Sequence, residues 1–380
     1  MSDDSEPPDV RITVPRDTSD SDDNSYLRSG PRIQTPDYLV VVPVTGTLLD
    51  TYTGINVRRF LRTAVALAAD NDGRVLLVGM EAVQDESALE PVREYVQSED
   101  PAASDKPKVV EAIEDRQTQL AEMADVAQEL DPGVSVTASV RAVSDITSGI
   151  LSVVNGGNET AVLLLRGTGL DEGWLLNRST VDTILAEAEC DVFVENMGVK
   201  SGENTLYVPD IEGHTVASLA ESEAETIDSI LLPVGAGPHA ALAAEAARAV
   251  ARHANASVTV LHVISPDASA EATGEGEDLL KFADYVLGSD VTTETELKTA
   301  SDTADVIVQQ AKDHDFVSIG APEQKSRLKK IVYESVQETV SELNEATVLM
   351  SRDSDRTARS LYYRWKRGIE AIEDDDNDKN

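Results

Sequence analysis

The 380-residue chain carries 70 Asp and Glu against 32 Lys and Arg, a net charge of −38, and a single cysteine. A field of that sign repels nucleic acid and anionic lipid headgroups over most of the surface, and one cysteine excludes both an internal disulfide and a thiolate zinc site. Eleven Lys against twenty-one Arg reads as adaptation to high salt, since in molar salt the screening length falls to about 3 Å and self-repulsion fades. No apolar run reaches about eighteen residues, and Met1–Asp9 has neither the basic nor the apolar region of a secretory leader, so the expected compartment is cytoplasmic.

Residues 1–36 are rich in Asp, Ser and Pro without apolar periodicity, which predicts a disordered acidic tail. From Tyr38 the pattern alternates between strand and helix. Strand Leu39–Val44 is followed by a helix that carries Val57, Phe60, Leu61, Ala64, Val65 and Ala68 at three-and-four spacing and stops near Gly73. Next come strand Arg74–Met80, a charged insertion Asp85–Lys108, and a long helix Val109–Leu130 ended by Asp131-Pro-Gly133. Strand Val134–Val140 precedes a helix with Ser144 as its cap. Strand Thr160–Leu165, a loop Arg166–Asn177, a helix from Ser179 and strand Asp191–Glu195 complete the unit.

A polar connector spans Asn196–Thr226, and then the order repeats. Strands are predicted at Ser229–Val234, Ser257–Val263, Asp290–Leu297, Phe316–Ile319 and Thr347–Met350. Helices are predicted at Pro238–Ala254, Glu275–Leu287, Thr303–His314 and Lys330–Leu343. Twice βαβαβαβαβ, with strands apolar on both faces, predicts an α/β fold class of two tandem five-stranded parallel-sheet units, Rossmann-like, with helices on both faces. The predicted organisation is tail 1–36, unit 37–196, linker 197–226, unit 227–352, and an amphipathic helix with an acidic end at 353–380.

Parallel sheets hold ligands at their strand C-termini, and both copies break into glycine there. The first copy offers Pro43, Val44 and Thr45 after its first strand. Arg166, Gly167 and Gly169 follow its fourth, and Arg178, Ser179 and Thr180 open the next helix. The second copy offers Pro233, Val234, Gly235, Gly237 and His239, with Gly320, Lys325 and Ser335 after its fourth strand. Pro238 suits a first helical position, and helix-start amides favour an anion. A plain tight turn explains a lone Gly-x-Gly equally well.

On these loops, Ile230-LLPVGAGPHA, Gly320-AP and Gly167-TG, both copies resemble the universal stress protein superfamily, and copy two is most similar to haloarchaeal members associated with membrane transporters. The resemblance implies an adenine nucleotide alpha hydrolase-like fold and a pseudo-dimer built through the last strands. In the nucleotide-binding branch it also implies a Gly-x-x-Gly, nine residues, Gly-Ser/Thr loop around ATP phosphates. In the second copy Glu323 stands at the second glycine and Glu334 precedes Ser335. In the first, nine residues separate Gly169 from Ser179, and Arg166 and Arg178 add positive charge, which makes it the more phosphate-friendly copy. Thr45 and Gly235 stand where that branch has its adenine-binding aspartate.

His214, His239, His253, His262 and His314 have no metal-ligand spacing, and no metal is expected. His239 alone is placed to touch a ligand, and His262 reads as a satisfied core residue. No Gly-x-Ser-x-Gly elbow presents a serine, so the chain is read as not an enzyme, a weak ATPase at most. The resemblance implies a regulatory sensor, with ATP or another adenine nucleotide as its candidate cofactor. Its candidate partners are a membrane transporter, at the inner membrane face, or a second copy of the chain. The alternatives are a nucleotide-hydrolysing enzyme and a scaffold without a ligand. Beyond Arg352 a basic stretch with Leu361, Tyr362, Trp365, Ile369 and Ile372 either docks on such a partner or packs back on its own acidic domain.

Overall fold

The computed structural model describes residues 11–13, 38–49, 57–83, 87, 89–97, 108–154, 159–166, 168–170, 179–196, 226–237, 239–321, 346–354, 362 and 365–366. Two compact units divide the chain, and the division falls after Val192.

The first copy holds the strands β1 (Arg11–Thr13), β2 (Leu39–Val44), β3 (Arg74–Ala82), β4 (Ser135–Val143), β5 (Thr160–Leu165) and β6 (Asp191–Asn196), the last of which carries the division. They lie in the order β1-β4-β3-β2-β5-β6. The pairings β1/β4, β4/β3, β3/β2 and β2/β5 are parallel. Helices α1 (Gly46–Leu49), α2 (Val57–Ala69), α3 (Leu89–Gln97), α4 (Lys108–Leu130), α5 (Ile146–Val154) and α6 (Thr180–Glu187) make the connections. The middle strands are sealed on both faces, as Val40, Val41, Val42, Leu163 and Leu164 show by their complete burial. That explains why their sequence runs apolar without alternation.

The second unit holds β7 (Ser229–Pro233), α7 (Ala240–Ala254), β8 (Ser257–Ile264), α8 (Ala270–Leu287), β9 (Thr293–Thr299), α9 (Thr303–Ala311), β10 (Phe316–Gly320) and β11 (Thr347–Arg352). Its strand order is β11-β10-β7-β8-β9, with every pair parallel. α7 is mostly alanine on its buried side, and Asn255 closes it in the left-handed conformation at φ 55. Small side chains let this helix lie close to the sheet. Ser318 in β10 donates to the Ala243 carbonyl at 2.7 Å.

Several sequence expectations change. Arg11–Thr13, placed in the tail, add to β4 as an edge strand, a long-range pairing that no local periodicity announces. The charged insertion contains α3, whose Leu89 and Val92 are buried. The cap of α5 is Asp145 and not Ser144, because its carboxylate accepts from the Ser148 amide at 2.7 Å. α8 begins at Ala270, five residues before Glu275, behind a Ser269 cap that accepts from the Ala272 amide. Glycines 274 and 276 argue locally against a helix there. β9 starts at Thr293, since the Val291 amide closes a turn onto the Gly288 carbonyl. The predicted helix Lys330–Leu343, the connector between the copies and most of the terminal helix lie outside the described residues.

Candidate functional site

In each unit the strand order reverses beside the first strand of its copy: between β2 and β5, and between β7 and β10. In this architecture the carboxyl ends of strands at such a reversal are the usual ligand position, a crevice between neighbouring loops.

At the first crevice, Thr45 directly follows β2 and its hydroxyl donates to the Thr168 carbonyl at 2.7 Å. The same oxygen accepts from the Leu48 amide at 3.3 Å, holding the single turn of α1. Thr168 in turn donates to the Leu165 carbonyl at 2.7 Å. Gly169 has φ 81, a conformation that costs a side chain strain, and the Leu170 carbonyl receives the Val181 amide at 3.0 Å. Ser179 caps α6 through the Asp182 amide at 3.0 Å, and the Thr180 hydroxyl meets that of Thr147 at 2.8 Å. Pro43 and Val44 belong to β2, and Arg166, buried, directly follows β5. Thr45, Arg166, Gly169, Ser179 and Thr180 are thus carried by the β2 and β5 ends and the α6 start. Gly167 and Arg178 lie outside the described residues.

Arg116 is a residue that sequence reasoning misses. It reaches over from α4, bonds Glu81 at the end of β3 at 3.1 Å, and its Nη2 lies 3.1 Å from where a side chain on Gly46 would begin. A cation on the polar side of a long helix resembles any solvated residue in sequence, so only the docking of α4 reveals it.

At the second crevice, Pro233 ends β7 and Val234 extends it, its amide bonding the Leu261 carbonyl at 2.9 Å. The Val234 carbonyl accepts from His262 Nδ1 at 2.8 Å, which makes Nδ1 the protonated nitrogen and satisfies this half-buried ring as expected. Gly235 and Gly237 have open space where a side chain would begin. The first α7 amide, Ala240, is engaged by the Gly237 carbonyl at 3.4 Å.

Gly320, ending β10, is pressed against this helix start. A Cβ there would lie 2.9 Å from the His239 carbonyl carbon and 3.2 Å from the Ala240 nitrogen. His239 Nδ1 accepts from the Asp353 amide at 3.1 Å. Burial, reinforced by Arg352, pushes its pKa down from 6.5 to about 4. Lys325 and Ser335 lie outside the described residues. Beside the turn, a partly open recess is lined by Gly235 and Gly237, by Ala240, Ala241 and Ala244 of α7, and by Leu279, Phe282 and Ala283 of α8. Tyr362 lines it as well. This apolar recess escapes the sequence as well, because it needs two helices and a distant residue together.

Among the described residues no group of three His, Cys, Asp or Glu could hold a metal ion, and no helix is long and apolar enough to cross a membrane. Parallel α/β units whose polar loops converge at a strand-order reversal define the class: a Rossmann-like protein with ligand-type crevices. Residues 226–352 match the model of the Universal stress protein family.

No curated protein matches the chain. Among solved structures, a universal stress protein from Archaeoglobus fulgidus DSM 4304 is 13% identical, with 85% of this chain and 99% of that one covered, at a TM-score of 0.48. The cytoplasmic domain of a prokaryotic cation chloride cotransporter is 12% identical over 86% and 99%, at 0.45. A universal stress protein in complex with cAMP is 14% identical over 33% and 97%, at 0.27.

Proposed function

We propose that the chain is a regulatory sensor of the universal stress protein type, built from the units 37–196 and 227–352, that takes an adenine nucleotide or another small anion at a switch-point crevice. The observation that carries this reading is the convergence, in the second unit, of the Gly235–Gly237 turn after β7 and Gly320 after β10 on one helix start. Glycine turns at such a place leave backbone and open space facing a ligand rather than side chains. The first crevice has the more favourable electrostatics, with Arg116 and Arg166 near its strand ends, but Thr45 and Thr168 bridge it. The second has the open recess.

A regulator is favoured over an enzyme because, among the described residues, neither crevice presents a general base beside a nucleophile: Thr45 donates to a carbonyl, and His239 receives a backbone amide. The reading includes a salt-adapted cytoplasm, and as partner a membrane transporter or a second copy of the chain. Calorimetry with ATP, AMP and cyclic nucleotides in molar KCl tests it. Saturable heat without turnover is expected; turnover would favour the hydrolase reading, and silence with all three the scaffold.

A further inference from the structure

We propose that the carboxy-terminal aromatic segment is an intramolecular strap: Tyr362 and Trp365, seated on Phe282 and tethered by Lys366 to Asp278, close the recess beside the Gly235–Gly237 turn, so that a small molecule with a planar apolar ring enters as the strap leaves. The proposal rests on the reading of that turn as a ligand site and supplies its regulation.

Phe282 carries both halves of the device. One side of its ring lines the recess with Leu279 and Ala283. The same ring meets Tyr362 edge-on, with centroids 5.6 Å apart at 72°, and Trp365, also 5.6 Å away, at 61°. Tyr362 and Trp365 stack on each other at 6.2 Å and 25°. Three rings in mutual contact gain more than their buried area alone, yet each such pair is modest, which suits a contact meant to break.

Charge fixes the register. Asp278 lies one helical turn before Phe282 on the same face of α8, and its carboxylate takes the Lys366 ammonium at 3.0 Å. Lys366 also stands 6.0 Å over the Tyr362 ring, so ammonium, carboxylate and ring form one cluster. The sequence supplies the wider attraction: Arg352, Arg356, Arg359, Arg364, Lys366 and Arg367 form a basic stretch in a chain of net charge −38. The recess beneath Tyr362 is walled by alanine methyls, Leu279 and Phe282. Such walls offer an apolar ring contact and no charged partner, and the seat of the strap and the wall of the recess are the same side chain.

The test uses the full-length chain and N-phenyl-1-naphthylamine, an uncharged aromatic probe, in high salt. Lys366→Glu replaces attraction to Asp278 with repulsion and should tighten probe binding about fivefold. Trp365→Ala removes a ring of the strap and should tighten it about tenfold. Asp278→Lys combined with Lys366→Glu should return the affinity to that of the parent. Adding Ala244→Leu, which fills the recess, should abolish the gain. Unchanged probe binding in both single variants, no recovery on double charge reversal, or a gain that survives filling of the recess would each overturn the proposal. Far-UV circular dichroism and urea midpoints show that each variant is folded. ATP titration of the same variants separates the two readings: a variant that gains probe affinity but stays silent to ATP keeps the strap and removes the nucleotide.

Discussion

Gly320 and Gly235 make the sharpest paired prediction, because both are glycines at strand ends and they stand in opposite surroundings. A methyl group on Gly320 would meet backbone: the His239 carbonyl carbon at 2.9 Å, its oxygen at 3.0 Å and the Ala240 nitrogen at 3.2 Å. Backbone cannot rotate aside, so α7 must shift as a body, against the Ser318 bond that holds it to β10 at 2.7 Å. Overpacking of this kind costs about 1–3 kcal/mol. In a unit of this size that lowers the melting temperature by roughly 3–12 °C. Gly235→Ala meets nothing within 4 Å and has no left-handed backbone angle. It should leave stability unchanged or raise it by up to about 1 kcal/mol, since it restricts the unfolded chain. Urea titration of both variants in molar KCl reads the contrast directly. Equal losses, or a larger loss for Gly235→Ala, would refute the claim that close approach of β10 and α7 shapes this crevice.

His239 should make the second unit acid-sensitive. Its folded-state pKa of about 4 lies below the unfolded 6.5, so the unfolded chain binds the proton more readily between those values. The contribution is complete above pH 6.5 and is lost as pH falls toward 4, amounting to about 1–2 kcal/mol after allowance for solvent screening. His239→Asn can keep an acceptor for the Asp353 amide without a titrating ring, and it should flatten the stability slope across that window; an unaltered slope would assign the acid sensitivity elsewhere. At the start of α9, Asp302 accepts from the amides of Ala304 at 3.0 Å and Asp305 at 3.3 Å. Asp302→Ala should therefore cost about 1 kcal/mol, with Asp302→Ser recovering most of it in the same denaturation assay.

Much of this protein is set by its sequence alone. Runs such as Leu39–Val44 and Thr160–Leu165 are apolar without alternation because both faces are covered, and that local signature already implies parallel strands between helix layers. The doubled order of elements, and the glycines and hydroxyls at the strand ends, follow from the same kind of reading. What local pattern could not supply is whatever depends on residues far apart in the chain. The β1 strand exists only because β4 has an edge to give it, and α8 runs through Gly274 and Gly276 because packing overrides propensity. At Gly276 a side chain would press against the His262 ring at 2.7 Å.

The crevices divide in the same way. Thr45, Ser179, Gly235 and Gly320 are legible as polar or glycine breaks, and Tyr362 and Trp365 as part of an amphipathic stretch, while Arg116 and the Phe282 ring are ordinary surface or core residues until helices dock. Periodicity reports which face of an element avoids water, a property of neighbouring residues. Which two faces meet, and what opens between them, is decided by the packing of elements more than a hundred residues apart, as when the Asp353 amide reaches His239.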